Sequence, residues 1–260
     1  MEISLKNRNA IVCGSTQGIG KAIAVEFAKL GANVTLIARN EEALKKVKSE
    51  LNKEGNHNYI AADFSYPEIL KEKITEYMSK NHTVHILVNN TGGPESGNII
   101  DAGIDEFTNA FKSHLICNHI LVQAVVEGMK REKYGRIINI VSTSVKQPIK
   151  GLGVSNTIRA AVANWSKTLS VELAPYGITV NNILPGATKT ERLNSLFESR
   201  AKDTGKTTGE IKREWLSEIP AGRFAEPAEL AFAAVFLASP SAAYINGVNL
   251  PVDGGRLGSL

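Results

Sequence analysis

The residues most suggestive of chemistry in this sequence are a run of closely spaced glycines, Cys13-Gly14-Ser15-Thr16-Gln17-Gly18-Ile19-Gly20, with a helical pattern beginning at Lys21. An apolar run precedes them. Strand, glycine turn and helix in that order form the arrangement that binds the pyrophosphate of a dinucleotide. Gly14 suits the tight turn, Gly18 lets the backbone approach the pyrophosphate, and Gly20 lets the helix pack on the strand. The anion then rests at the positive end of a helix, where the first N–H groups have no partner within it. Ser15, Thr16, Gln17 and Ile19 complete the turn. The competing reading is a flexible glycine-rich loop, which leaves the strand before it and the helix after it unexplained.

Such a turn works only if a sheet and helices hold it. From Arg8 onward, short β-rich apolar runs alternate with longer amphipathic stretches, the pattern of βα units that feed a parallel sheet. Strands are predicted over 9–13, 33–38, 58–62, 86–89, 136–141, 179–184 and 247–252. Helices are predicted over 20–30, 41–53, 68–80, 104–131, 155–174 and 228–238. Together they describe an α/β protein: a three-layer Rossmann fold with a doubly wound, seven-stranded parallel sheet. No fixed-period repeat and no Pro/Gly/Ser linker divides the chain, so residues 1–260 read as one dinucleotide-binding domain. The polar stretch 190–220 carries weak helical patterns around 192–200 and 208–218. It is either a flap over a site or a solvated helical excursion.

Composition narrows the function classes. In 260 residues, 43% are hydrophobic and 22% charged, which is ordinary globular usage and excludes a disordered or fibrous chain. The net charge of +4 comes without a dense Lys/Arg block, so nucleic acid is not an expected partner. No apolar run approaches the roughly 20 residues of a membrane span. Residues 1–9 lack the features of a secretion signal, and a cytoplasmic location is expected. The two cysteines, Cys13 and Cys117, are too few for a disulfide framework or a zinc site and read as buried thiols. No His/Cys/Asp/Glu cluster has the spacing of metal ligands, so no metal is expected.

The spacing Gly14-x-x-x-Gly18-Ile19-Gly20 resembles that of the short-chain dehydrogenase/reductase family, and further matches follow in order along nearly the whole chain. Asp63, with Phe64 beside it, resembles the family aspartate next to the adenine ring. Asn89-Asn90-Thr91-Gly92 resembles its Asn-Asn-Ala-Gly. Pro185-Gly186-Ala187-Thr188-Lys189-Thr190 is similar to the turn and threonine that meet the nicotinamide. Asn246-Gly247 and Val252-Asp253-Gly254-Gly255 resemble its C-terminal strand signature. By the same analogy Arg39, at the end of the second strand, stands close to the adenosine ribose. A carboxylate there would bind the ribose hydroxyls and repel a 2′-phosphate, whereas a guanidinium pairs with that phosphate. The resemblance therefore implies NADP(H) as the preferred cofactor and NAD(H) as a possible one, the alternative being Arg39 as an ordinary surface residue.

In that family a tyrosine gives the proton, a lysine four residues later lowers the tyrosine pKa and holds the ribose, a serine polarises the carbonyl and an asparagine completes a relay. The serine is present as Ser142. Counting onward from it, the tyrosine position falls on Ser155 and the lysine position on Arg159. None of Tyr59, Tyr66, Tyr77, Tyr134, Tyr176 and Tyr244 has a lysine four residues later. The asparagine position falls on His114, with Asn118 one turn further on. A serine hydroxyl is far less acidic than a phenol, and arginine stays protonated. Ser142 and Ser155 nevertheless offer two hydrogen bonds, and Arg159, one helical turn from Ser155, offers an anchor for ribose or an anionic substrate. His114 is either a proton donor or a packed helix residue. Lys146 and Lys150 either face the same pocket, favouring an anionic substrate, or are solvated. Asn90 to Pro94, together with the missing Tyr-x-x-x-Lys, is similar to a subgroup of the family resembling β-ketoacyl reductases.

These residues imply an NADP-preferring oxidoreductase that moves hydride between nicotinamide and a small-molecule carbonyl or alcohol through an atypical site. A non-catalytic dinucleotide-binding or sensor protein is the alternative. The helices over 104–131 and 155–174 carry apolar residues such as Ala160, Ala161, Val162 and Trp165 beyond the needs of one sheet face, and family members associate through them. A homodimer or homotetramer is expected.

Overall fold

The computed structural model describes residues 3–80 and 83–259; of the N-terminal stretch read above, residues 1 and 2 lie outside the described residues. Seven strands form a single sheet: β1 (Asn9–Cys13), β2 (Asn33–Ala38), β3 (Asn58–Ala61), β4 (Ile86–Asn89), β5 (Gly135–Ile140), β6 (Ile178–Pro185) and β7 (Asn249–Val252). The order is β3-β2-β1-β4-β5-β6-β7, and every pairing is parallel. The chain winds outward from β1 to β3, then returns to β4 on the other side of β1. This reversal opens a crevice at the carboxyl ends of β1 and β4, the switch point where doubly wound sheets bind ligands.

Helices cover both faces, as the near-continuous apolar strands require. α1 (Gly18–Lys29), α2 (Glu41–Glu50) and α9 (Pro227–Ala238) close one face around Phe27, Leu36, Leu44 and Leu230. α3 (Pro67–Lys80), α5 (Cys117–Glu132) and α6 (Gly153–Leu173) close the other around Leu70, Ile74, Leu121 and Met129. Cys13 and Cys117 are both fully buried here, and burial pushes the Cys117 thiol up to about 12. Across the right half of the sheet runs an asparagine ladder. Asn89, Asn139, Asn182 and Asn249 face one another in register, and each Nδ2 donates to the next Oδ1 at 2.8, 2.9 and 2.7 Å. A slip of one residue would throw these amides onto the opposite face, so the ladder fixes the register of β4 to β7.

Several expected bounds shift, among them that of α2, which ends at Glu50 rather than at 53. The helix predicted over 104–131 divides into α4 (Ile104–Phe111), one π turn (Lys112–Ile116) and α5. The wider turn aims His114 inward, where it is 2% exposed and lies 2.5 Å from Thr91 Oγ1 through its Nδ1. β7 also begins two residues later than predicted, because Gly247 takes a left-handed φ of +72° and a strand cannot start through it. The stretch 190–220 is helical as read, forming α7 (Glu191–Thr204) and α8 (Thr208–Ser217) over a small core of Leu193, Phe197, Ile211 and Ile219. Among the described residues no helix is long and apolar enough to cross a membrane.

Candidate functional site

The carboxyl end of β1 runs into the glycine turn, and the backbone there justifies each glycine. Gly14 and Gly18 take φ of +57° and +54°, which side chains with a Cβ rarely adopt. A Cβ on Gly14 would stand 2.7 Å from the Asn90 carbonyl oxygen, and one on Gly20 would stand 2.2 Å from the Gly14 oxygen. Asn90, just past β4, holds the turn in return through Nδ2 bonds to the oxygens of Cys13 and Gly14 at 3.2 and 3.3 Å. The α1 N-cap is Gln17, whose side chain makes no capping bond. The first N–H groups of α1 therefore face the crevice and suit an anion. Beyond the turn, no atom lies within 4 Å of where a Gly92 side chain would begin.

These residues line one cleft of about 570 Å³ that spans the switch point. Gly14, Thr16, Gln17, Gly18, Ile19, Arg39, Asp63, Phe64, Asn90 and Gly92 form one part of its wall. Ser142, Ser155, Arg159, Pro185, Gly186, Thr188 and Thr190 form the rest. Three of the residues expected at the site do not line the cleft. Ser15 is fully buried, with its hydroxyl 3.4 Å from the Ile37 oxygen. Gly20 serves the packing of α1 on the turn. His114 stands behind Thr91, which does line the cleft; as the π turn points it inward, it reaches the cleft only through that hydroxyl. Burial, with the nearby Arg159 and Arg192 cations, holds the His114 imidazole well below the ordinary histidine range, so at pH 7 it is neutral.

Ser142 caps the short turn that follows β5, accepting a bond from Ser144 N–H at 3.0 Å and keeping its own proton to donate. α6 brings up Ser155, which is 8% exposed, and one turn later Arg159. Arg159 is half-buried on the cleft wall, and its guanidinium donates to the Ile140 oxygen at 2.8 Å. Burial, aided by Arg192, lowers its pKa to about 10, so it remains a cation at neutral pH. Thr190 caps α7 by accepting the Leu193 N–H at 3.3 Å. Two residues on, Arg192 Nη2 donates to the Pro94 oxygen at 2.5 Å and ties α7 to the turn after β4.

Arg192, Leu152 and Leu196 also line the cleft, although sequence reasoning passed over them, as does Thr91, which it quoted only within the motif after the fourth strand. Only the Thr190 cap two residues earlier could have pointed to Arg192. Leu152 and Leu196 also border a second cavity of about 390 Å³. It is bordered by α7 and α8 residues, with Lys150, Arg200 and Trp215 in its lining. Ser96 and Ser199, 2.6 Å apart, join its two sides. Lys146 borders neither cavity.

Residues 14–256 match the family model described as "Enoyl-(Acyl carrier protein) reductase". The chain belongs to the short-chain dehydrogenase/reductase family. Among its relatives, the "3-oxoacyl-[acyl-carrier-protein] reductase FabG" of Buchnera aphidicola is 33% identical over 256 residues, covering 97% of this chain and 98% of that protein. The "NADPH-dependent reductase BacG" of Bacillus subtilis is 30% identical over 259 residues, covering 98% of this chain and all of the relative. The crystal structure of L-sorbose reductase from Gluconobacter frateurii, complexed with NADPH and L-sorbose, superposes with a TM-score of 0.92 at 32% identity and full coverage of both chains. For a short-chain dehydrogenase/reductase the cleft lies where the fold leads one to look, at the carboxyl ends of the central strands.

Proposed function

We propose that this member of the short-chain dehydrogenase/reductase family is an NADP(H)-preferring oxidoreductase acting on a small-molecule carbonyl or alcohol through an atypical set of side chains. The observation that carries the reading is continuity: the glycine turn and uncapped start of α1 share one cleft with Ser142, Ser155 and Arg159. The glycine turn and the α1 N–H groups hold the pyrophosphate, and Asp63 and Phe64 flank the adenine. Arg39 faces the 2′-phosphate at the end of β2. Asn90, Gly92, Pro185, Gly186, Thr188 and Thr190 position the nicotinamide end. NAD(H) is the weaker cofactor because Arg39 offers a guanidinium where a carboxylate would favour free ribose hydroxyls. The relatives named for NADPH agree with this assignment.

The bound dinucleotide supplies or accepts a hydride at the reacting carbon. Ser142 and Ser155 donate hydrogen bonds to the oxygen on which negative charge develops. Ser155 passes the proton that completes the alcohol, drawing on water at the open end of the cleft. Arg159 anchors the ribose or the substrate. His114 orients Thr91 from behind, as a positioning residue. Residues 1–260 act as one dinucleotide-binding domain, and 190–220 form its substrate flap, held over the cleft by the Arg192 bond. The chain associates as a homodimer or homotetramer; a monomer in sedimentation at micromolar concentration contradicts that part.

The test combines NADPH and NADH consumption with direct titration of both cofactors, over a panel of β-ketoacyl, quinone, sugar and small ketone substrates. Turnover that falls on Ser155→Ala or Arg159→Ala is the expected result. Tight cofactor binding without turnover of any substrate would replace the enzyme with a dinucleotide sensor.

A further inference from the structure

Arg159 presents an electrostatic problem that the protein alone does not solve. Its guanidinium has five N–H donors, and among the described residues one hydrogen bond joins it to protein, at the Ile140 oxygen. The charged group that most affects it is another cation, Arg192. Among the described residues no carboxylate forms an ion pair with either arginine. A half-buried guanidinium that lines a cleft without a counter-charge favours pairing with an anion that enters the cleft.

The acidic groups nearby are poorly placed to help. Asp63 follows β3, four strand positions from β5, and its Oδ1 is engaged by the Ser65 N–H. Glu191 is exposed at the start of α7, and Glu95 acts on Arg192 rather than Arg159. The cofactor phosphates are no remedy either. They belong at the glycine turn after β1, and β5 lies two strands away, roughly 10 Å at ordinary strand spacing. His114, neutral at pH 7, adds no negative charge.

We infer that Arg159 receives a carboxylate of the substrate, and that the substrate is a free 2-oxo or 3-oxo acid, or the corresponding hydroxy acid. The spacing sets the distance between the two functional groups. Ser155 and Arg159 are four residues apart on one helix face, about 6 Å between their Cβ atoms. Ser142 lies two residues beyond the strand end to which Arg159 is tied. A carbonyl held by the two serines therefore has its carboxylate bonded directly to it or one carbon away. Arg192, on the same wall, adds a second positive charge, and the remainder of the molecule passes between Leu152 and Leu196 into the second cavity. An acyl chain esterified to a carrier has no charge at that point and leaves Arg159 uncompensated.

The inference rests on the reading of the protein as a carbonyl-reducing enzyme, and the experiment separates the two. Reduction of acetoacetate and pyruvate is compared with that of their methyl esters, with NADPH, in the wild type and in Arg159→Gln and Arg159→Lys. Calorimetric titration of acetoacetate and methyl acetoacetate into the NADP⁺-saturated proteins runs beside it. The wild type should favour acid over ester, and Arg159→Gln should shrink that kcat/KM ratio on the order of 30-fold or more, as expected when one partner of a desolvated charge pair is removed. Arg159→Lys should keep most of the ratio, and NADPH affinity should move less than about threefold in each variant, far below the loss expected of a charge partner. Acid and ester reduced alike by the wild type would overturn the inference while leaving the enzyme intact. Loss of NADPH affinity in step with the loss of acid turnover would overturn it too, since Arg159 would then hold the cofactor. If nothing is turned over, here or across the wider substrate panel, Arg159-dependent binding of acetoacetate upholds the carboxylate site and sinks the oxidoreductase reading alone; equal binding by wild type and Arg159→Gln sinks both.

Discussion

Arg39 is the side chain on which the proposed cofactor preference can be tested. It is exposed at the carboxyl end of β2, beside the strand that carries the glycine turn, and it lines the cleft without an ion pair among the described residues. A guanidinium in that position pairs with a 2′-phosphate through charge-assisted hydrogen bonds but gains little from neutral ribose hydroxyls. Arg39→Ala should therefore weaken NADPH binding by roughly 10-fold or more, the scale of a charged hydrogen bond, and leave NADH nearly unchanged. Fluorescence titration of both cofactors decides it: equal losses would make Arg39 a general contact and remove the basis of the preference. At this scale the sequence was legible where a residue type dictates its own conformation. Gly14 and Gly18 announce left-handed backbone, and the structure places both there. It was illegible where an environment is assembled from distant segments. Nothing local tells that Arg159 reaches a β5 carbonyl, that Arg192 bridges to Pro94, or that His114 turns away from the cleft toward Thr91.

Elements that the main sheet does not support should behave as separate units. α7 and α8 rest on their own cluster, in which Phe197 is 1% exposed and packs edge-on to Trp215 at 5.4 Å between ring centroids. Removing a buried phenylalanine typically costs about 3–5 kcal/mol, comparable with the whole stability of so small a cluster. Phe197→Ala should thus open residues 191–217 locally: their amides should exchange at least about tenfold faster, while those of β1, β4 and β5 keep their protection. Acceleration spread evenly over the sheet and residues 191–217 would mean that α7 and α8 share the main core. The contrast also explains which elements could be read from the sequence. β1, β2 and β4 match their expected bounds because each is an apolar run between polar or glycine breakers. The break between α4 and α5 was hidden, since a single π turn adds one residue and barely disturbs the apolar period on either side. The helices of 190–220 gave weak signals because their buried stripe is narrow, with Leu193 and Phe197 in α7 and Ile211 in α8.

For the molecule as a whole, the histidines couple folding to pH. His57 Nδ1 accepts the Val34 N–H at 3.1 Å and His85 Nδ1 accepts the Asn9 N–H at 3.0 Å, so each neutral ring secures the start of a central strand, β2 or β1. Behind the cleft, His114 Nδ1 lies 2.5 Å from Thr91 Oγ1. Protonating Nδ1 converts the acceptor to a donor and breaks the first two bonds. Burial lowers the pKa of all three, aided by Lys48 at His57, by Arg8 at His85 and by Arg159 and Arg192 at His114. In the unfolded chain each returns to about 6.5. Below that value the unfolded state binds protons that the native state does not, so stability is fully present above about pH 6.5 and falls as pH drops through the lowered native values. The slope approaches 1.4 kcal/mol per pH unit for a fully buried imidazole. His114 comes closest to that limit, while solvent screening reduces the share of the partly exposed His57. The carboxylates held low by neighbours, such as Glu41, Glu76 and Glu229, have ordinary values near 4.5, so their loss of stability begins only below that range. Urea midpoints at pH 7.5, 6.5, 5.5 and 5.0 should therefore hold over the first step and decline across the last two, and His114→Asn should decline less steeply. A flat wild-type profile would show that these imidazoles titrate in the folded protein as they do in water, and parallel declining profiles for wild type and His114→Asn would show it for His114 alone.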